Sequence, residues 1–497
     1  MTLLGEAGHL ILLAILLPLG CALVLPLFRN VPNLREAVTL LTALALAAIV
    51  LMLLPVVEAG GRPAAQLLEV APGLAIAFAV EPLGMLFALV ASLLWIVNSI
   101  YSIGYMRAHD EPRQTTFYAC FAIALASTMG IAFAGNLFTL FLCYEALTLC
   151  TFPLVTHKRN AEAMRAGRLY LLLLLGTSMV LFLPAIMATW FLAGTTDFMP
   201  GGILAGKASP LVTGLLLALY AFGIGKAAIM PVHFWLPAAM VAPTPVSALL
   251  HAVAVVKAGV FAILKIVVYV FGLETLSLTG ANAWLIYVGS ASLLLASLIA
   301  LTRDNLKARL AYSTISQLAY VVVGAALAGS TGILGSGLQI ATHAAGKITL
   351  FFCAGAIYVA SHKTEISEMA GIGRKMPVTM LAFLVGSLSI IGLPPFGGMW
   401  SKWLLALGAL EAGHVFVVAV LMLSSLLSAA YLLPIVARAF FAAPPADAHG
   451  HGHGEGIEEA PLACLIALCA TALLCVVLFF QAGRIESLLA GIFTAPQ

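Results

Sequence analysis

Charge is what this chain has least of. Of its 497 residues only 9% are Asp, Glu, Lys or Arg and 63% are hydrophobic, whereas a soluble domain carries about 25% charged residues. That balance excludes a soluble globular protein. A net charge of +3 is too small for an electrostatic nucleic-acid binder, so no nucleic-acid partner is expected. The eight cysteines form no C-x-x-C pair and sit mostly within apolar runs; they read as small hydrophobes rather than as an iron–sulfur or zinc set. P-loop and GxGxxG fingerprints are also missing, so neither ATP hydrolysis nor redox chemistry is expected of the chain itself, and neither a cofactor nor a metal. It reads as a transport protein rather than an enzyme. The first apolar run, Leu10 to Leu27, lacks a basic leader and is followed at once by further runs, so it is expected to stay as a span.

What is present is a succession of apolar runs of about 20 residues, the length that crosses a bilayer. They lie near 8–28, 36–57, 80–104, 115–134, 136–156, 168–194, 210–235, 243–272, 283–301, 308–328, 332–360, 377–397, 403–436 and 461–482. The fold class is therefore all-α and polytopic, with about fourteen transmembrane helices in one membrane domain, residues 1–497. Loops after odd-numbered runs hold fifteen Lys and Arg, including Arg29, Arg113, Arg159 and Arg303, against Arg62, Lys207 and Arg484 on the other side. By the positive-inside rule the odd-to-even loops face the cytoplasm and both termini lie outside.

Five lysines fall inside runs: Lys226, Lys257, Lys265, Lys347 and Lys402. Glu145 is the acid clearly within one. A charge at mid-bilayer costs about 3 kcal/mol even on lenient insertion scales, so such residues face a partner or a hydrated interior. Lys265, near a helix end, is expected to snorkel to the headgroups. The other four and Glu145 are candidates for a proton path, because an ammonium stripped of hydration gives up its proton more readily. Glu145, on the fifth run, is the candidate partner of Lys226. Structural ion pairing between helices is the competing reading, but four lysines cannot all pair with one glutamate.

Proline interrupts the runs that carry two of these lysines. Lys226 precedes Pro231 by five residues, and Pro394 and Pro395 precede Lys402. Helix breaks beside a charge mark the discontinuous helices of transporters. The two broken runs, the seventh and twelfth, are five apart, and an odd offset reverses direction across the membrane. Inverted five-helix repeats are thus expected over 115–272 and 283–436, after N-terminal helices over 1–104 and before a last helix and tail over 461–497. His343 and Lys347 are spaced i and i+4 and share a helix face. His251 and His233 read equally as relay groups or as hydrogen-bonded interhelical histidines. Ser313, Thr314, Ser316 and Gln317 either hydrate a channel or tie helices together. The DAHGHGHGEG tract, in a cytoplasmic loop over 437–460, reads as a flexible polar linker rather than a metal chelator.

GKAAIMPVHFWLPAAMVAPTPVSALLHAVAVVKAGV, RDNLKARLAYSTISQLAY, HAAGKITLFF and GLPPFGGMWSKW closely resemble the antiporter-like subunits shared by respiratory complex I, membrane-bound hydrogenases and Mrp-type Na⁺/H⁺ antiporters. The resemblance implies fourteen core helices, inverted repeats, broken helices seven and twelve, and a central hydrophilic axis. It gives Glu145, Lys226, Lys257, the pair His343 and Lys347, and Lys402 the places of the family's helix-five glutamate, helix-seven and helix-eight lysines, helix-eleven pair and helix-twelve lysine. Lysine on helix twelve and the short tail look most like the D-type subunits of Mrp antiporters. The implied function is proton translocation along Glu145, Lys226, His251, Lys257, His343, Lys347 and Lys402 in a multisubunit Na⁺/H⁺ antiporter of the bacterial inner membrane, with other membrane subunits as partners. The alternatives are a non-redox, proton-pumping subunit of a complex I or hydrogenase assembly, and the membrane subunit of a bicarbonate-uptake complex.

Overall fold

The computed structural model describes residues 2–71, 73–443 and 457–494, and side chains from residue 7 onward. The His-rich tract lies outside the described residues.

The chain is a bundle of long helices: α1 (Thr2–Val24), α2 (Pro32–Glu58), α3 (Pro82–Ala108), α4 (Gln114–Ala132), α5 (Leu137–Val155), α6 (Ala161–Ala193), α7 (Pro210–Gly223), α8 (Thr244–Phe271), α9 (Ala283–Thr302), α10 (Leu306–Ala326), α11 (Ser330–Ser361), α12 (Pro377–Ile391), α13 (Gly398–Glu411), α14 (Val415–Phe441) and α15 (Leu462–Ala490). Eleven helices among the described residues are long and apolar enough to cross a membrane. The apolar α7 and α12 are shorter, at 14 and 15 residues, or about 21–22 Å of helix against a hydrocarbon core of ~30 Å. Neither spans alone. α7 stops at Gly223 and gives way to irregular backbone until Trp235, while α12 stops at Gly392 (φ 91°) and resumes as α13. These are the two broken helices that the prolines predict.

α8 is the centre of the bundle. Every residue from Thr244 to Phe271 is buried, as expected of a helix apolar on all sides, and it packs against α3, α4, α5, α10 and α11. Two wide π-helical turns interrupt it, one over Leu249–Val253 around His251 and one over Val267–Phe271. Gly259 lets the broken stretch lie directly on α8, because a Cβ there has no room against the backbone of Lys226 and Ala227.

Several boundaries differ from the sequence reading. The run 403–436 is the end of α13, a turn at Gly413 (φ 77°) and most of α14; the turn is hidden because EAGH is too short to break an apolar run. α15 continues to Ala490, and α3 to Ala108. A hairpin of β1 (Ala64–Ala71) and β2 (Leu74–Ala79) fills a connection that hydropathy left blank. It is tied down by Ala79 N–H to the Phe133 carbonyl (2.7 Å) and by the Asn136 side-chain amide to the Ala75 carbonyl (2.8 Å).

Lys265 does not snorkel. It is fully buried, pairs with Glu81 at 3.1 Å and donates to the Ala134 carbonyl at 2.8 Å. Glu81 also accepts from the Tyr269 hydroxyl (3.0 Å) and caps α3 through the amides of Leu83 (2.7 Å) and Gly84 (3.0 Å). A helix-end lysine can bury its charge because a satisfied carboxylate meets it there. Removing one member of such a pair strands the other, so Glu81→Ala is expected to cost about 3–5 kcal/mol in equilibrium unfolding in micelles. Adding Lys265→Met should recover most of that loss, and an equally unstable double variant would contradict the pairing.

Outside the spans, Glu111 lies 3.5 Å from the His157 imidazole. The neighbouring His157 imidazole outweighs partial burial and lowers its pKa. A carboxyl whose folded pKa is lowered stabilises above its unfolded value, about 4.3, and loses that contribution as pH falls through the folded one. The loop between α3 and α4 is therefore expected to keep constant hydrogen-exchange protection at neutral pH and to loosen only below about pH 4, a step that Glu111→Gln should remove.

Candidate functional site

The polar residues that composition makes scarce converge along the middle of the bundle. Lys226 sits in the break after α7, fully buried. Its ammonium donates to the Tyr144 carbonyl (2.8 Å) and the Thr148 hydroxyl (2.5 Å) of α5, and lies 3.2 Å from the centroid of the Tyr144 ring. The Tyr144 hydroxyl in turn accepts from the Lys226 amide at 3.1 Å, and the Trp235 indole binds the Gly225 carbonyl at 3.0 Å. The broken stretch is thus held by side chains where helix hydrogen bonds are lost.

Glu145 is on the same helix as these partners, but it is not within ion-pair distance of Lys226: among the described residues no such contact under 4.0 Å exists, and neither carboxylate oxygen has a hydrogen-bond partner. Direct pairing of Glu145 with Lys226 is therefore replaced by docking of the lysine on neutral oxygens one residue before and three residues after the glutamate. The reason is local geometry. Residues 144 and 148 are one helical turn apart on one face, and Glu145 points about 100° around the helix from Tyr144.

Gly259, which touches the Lys226 backbone, lies two residues beyond Lys257 on α8. From there the polar line turns toward the second half. The Lys257 ammonium is 2.6 Å from His343 Nδ1 on α11. His343 shares its helix face with Lys347, whose ammonium donates to the Ser313 hydroxyl of α10 at 2.6 Å. Ser313 reaches the Tyr431 hydroxyl (2.9 Å), and Tyr431 reaches Ser428 (3.0 Å) on α14.

One turn before His343 on α11, Gln339 binds Gln317 (2.9 Å) and accepts from Ser401 (2.6 Å). Ser401 is the neighbour of Lys402. The Lys402 ammonium caps the broken end of α12, donating to the carbonyls of Ile390 (2.8 Å) and Ile391 (2.9 Å), and it also binds Ser425 at 2.9 Å. A cation at a helix C-terminus is favoured by the unpaired carbonyls and the helix dipole. Tyr320 completes this end, its ring 4.8 Å from the ammonium and its hydroxyl 3.4 Å from Ser425.

His251 occupies the wide turn of α8, buried, with its ring 4.7 Å from Phe351 and neither nitrogen hydrogen-bonded among the described residues. The interhelical hydrogen bond considered for it is not formed. His233, also buried, has an unpartnered Nδ1 and stacks near Phe234 (4.1 Å). Pro231 lies in the irregular stretch after Lys226, and Pro394 and Pro395 lie between α12 and α13. Of the polar group in α10, Ser313 and Gln317 join this line, whereas Ser316 joins Ser297 (2.8 Å) and Ser424 (3.3 Å) in a cluster between α9, α10 and α14.

Sequence reasoning missed Gln339, Ser401, Tyr144, Thr148, Tyr320 and Tyr431. Gln339 could have been found, since it precedes His343 by four residues and so extends the same face. The others are uncharged and give no signal until the helices are packed.

Comparison with known proteins accords with this geometry. Residues 134–428 match the family "NADH:quinone oxidoreductase/Mrp antiporter, TM", a stretch that holds Glu145, Lys226, Lys257, His343, Lys347 and Lys402. NADH-quinone oxidoreductase subunit N of Desulforudis audaxviator is 33% identical over 386 residues, covering 75% of this chain and 74% of the relative. NAD(P)H-quinone oxidoreductase chain 5 of Synechocystis sp. is 32% identical over 344 residues, covering 65% of this chain and 49% of the relative, so this chain spans about half that protein's length. A chain in the solved Mrp complex from Dietzia sp. superposes with a TM-score of 0.86 over 99% of this chain and 97% of that one, at 22% identity, a likeness of fold. Since the family match takes in more than half of its residues, the chain belongs to the multi-pass, antiporter-like membrane subunits shared by NADH:quinone oxidoreductases and Mrp antiporters.

Proposed function

We propose that this chain is the proton-translocating subunit of a multisubunit monovalent cation (Na⁺)/H⁺ antiporter. Protons pass along Glu145, Lys226, Lys257, His343, Lys347 and Lys402, with His251 beside the line. The observation that carries the reading is the way the buried lysines are solvated. Lys226, Lys347 and Lys402 are held by hydroxyls and carbonyls, and Lys257 by an imidazole. A neutral partner accepts a hydrogen bond from the ammonium and tolerates the amine, so the proton can leave without stranding a counter-charge. Hydroxyls such as Ser313, Ser401 and Tyr431 donate and accept in turn, which is what a proton relay needs. Glu145, unpartnered beside the Lys226 docking site, supplies the charge that biases that lysine once it ionises. The two broken-helix lysines are equivalent positions in two inverted repeats, over 115–272 and 283–436, in a bacterial inner membrane with both termini outside.

Relatives in quinone oxidoreductases favour a second reading, in which electron transfer in a partner subunit drives the same lysines. The driver separates the two. In vesicles holding the assembled complex, Na⁺-dependent ΔpH is expected under the first reading, and electron-donor-dependent ΔpH without a Na⁺ requirement under the second.

Under either reading, Lys226→Ala and Glu145→Gln should lower proton translocation by about 10²-fold, the usual weight of a proton-transfer group, in complexes whose subunit composition is unchanged. Full translocation in both variants would remove the axis as the path.

A further inference from the structure

A second concentration of charge lies apart from the proton axis, where the turn after α1 meets the loop between α3 and α4. It surrounds a cavity of about 730 Å³ lined by Arg29, Arg35, Arg113, Glu111, Thr115 and Thr116 among others. The three arginines are under-neutralised. Arg29 is exposed, and its side chain makes no hydrogen bond or ion pair among the described residues. Arg113 donates to the His157 carbonyl and meets no carboxylate among the described residues.

Arg35 is only 4% exposed; it binds Gln114 (2.7 Å) and Thr115 (3.3 Å) and lies 3.6 Å from Glu36, yet its buried Nε has no partner among the described residues. Glu36 is itself shared with Arg107. Glu111, the carboxylate in the wall, is taken by His157 at 3.5 Å. A guanidinium cannot relieve its burial by losing its proton, so this excess of positive charge calls for an anion with several acceptor oxygens.

The surroundings narrow the class of anion. Leu23 on the last turn of α1 and Leu27 in the short 3-10 turn that follows it, 80% and 78% exposed, stand beside Arg29, an apolar surface that borders the basic cavity. A smaller cavity of about 360 Å³ shares Arg113 and Thr116 and adds Arg159. Basic pockets at the membrane surface of helical bundles take phospholipid headgroups, which bring phosphate oxygens and acyl chains together. We propose that this cavity binds the phosphate of an anionic phospholipid, gripped by Arg29, Arg35 and Arg113, with an acyl chain along Leu23 and Leu27.

The test measures phosphatidylglycerol binding to the delipidated, assembled complex in phosphatidylcholine nanodiscs, for the native protein and for the double variant Arg29→Gln, Arg113→Gln. Both side chains are exposed, so the variant is expected to fold. At roughly fivefold per basic residue, the double variant should bind about 25-fold more weakly, while Arg29→Lys with Arg113→Lys keeps most of the affinity. Unchanged affinity in the glutamine variant would overturn the site. Competition by millimolar inorganic phosphate that displaces the lipid fully would overturn the lipid assignment in favour of a free anion.

Discussion

Everything in this bundle answers to one constraint: an ammonium group inside a membrane must be solvated by the protein itself. Each buried lysine shows a solution, and the solutions are of two kinds. Lys265 meets the carboxylate of Glu81, which is further held by Tyr269 and two backbone amides. Such a pair is stable only with both charges present, so it locks α3 to α8. Lys226, Lys347 and Lys402 meet neutral oxygens and Lys257 meets an imidazole. Those partners lower the cost of the charge without fixing it, and the same lysine can be charged or neutral in one geometry. On the proposed path, what separates a structural lysine from a translocating one is the charge of its partner.

The helix breaks supply part of that solvation. Where α12 ends, the carbonyls of Ile390 and Ile391 have no helical donor, and Lys402 takes both. Where α7 ends, the chain crosses α8 at Gly259 closely enough to bring the Lys226 backbone beside the turn that carries Lys257. Unpaired backbone is tolerated at membrane depth only where protein surrounds it, and α8, buried along its whole length, provides that wall. The expense of broken helices and the expense of buried charge thus offset one another.

Much of this was legible in the sequence. Charges inside apolar runs, prolines beside two of them and the i, i+4 spacing of His343 and Lys347 point to the same line that the packed helices form, because a charge in hydrocarbon has few places to go. What was not legible depends on which helix faces which. Glu145 and Lys226 looked like partners because Glu145 is the acid clearly within a run, but the lysine docks on Tyr144 and Thr148, whose signal is a carbonyl and a hydroxyl. Lys265 looked like a snorkelling residue because it lies near a helix end, and its partner Glu81 stands at the edge of another run, 184 positions earlier in the chain. The β1–β2 hairpin and the turn at Gly413 were invisible to hydropathy, since neither interrupts or extends an apolar run by enough to register.

Translocation along this line requires that it be continuous across the two halves, and the contact that joins them is Lys257 with His343. The most direct measurement is a double-mutant cycle on proton translocation by the intact complex in vesicles. Lys257→Met and His343→Ala should each lower the rate by about 10²-fold, and the double variant should be no slower than the slower single one, because a relay is already broken by either change. Losses that multiply in the double variant, or a single variant that translocates at the native rate, would mean that protons do not pass through this contact.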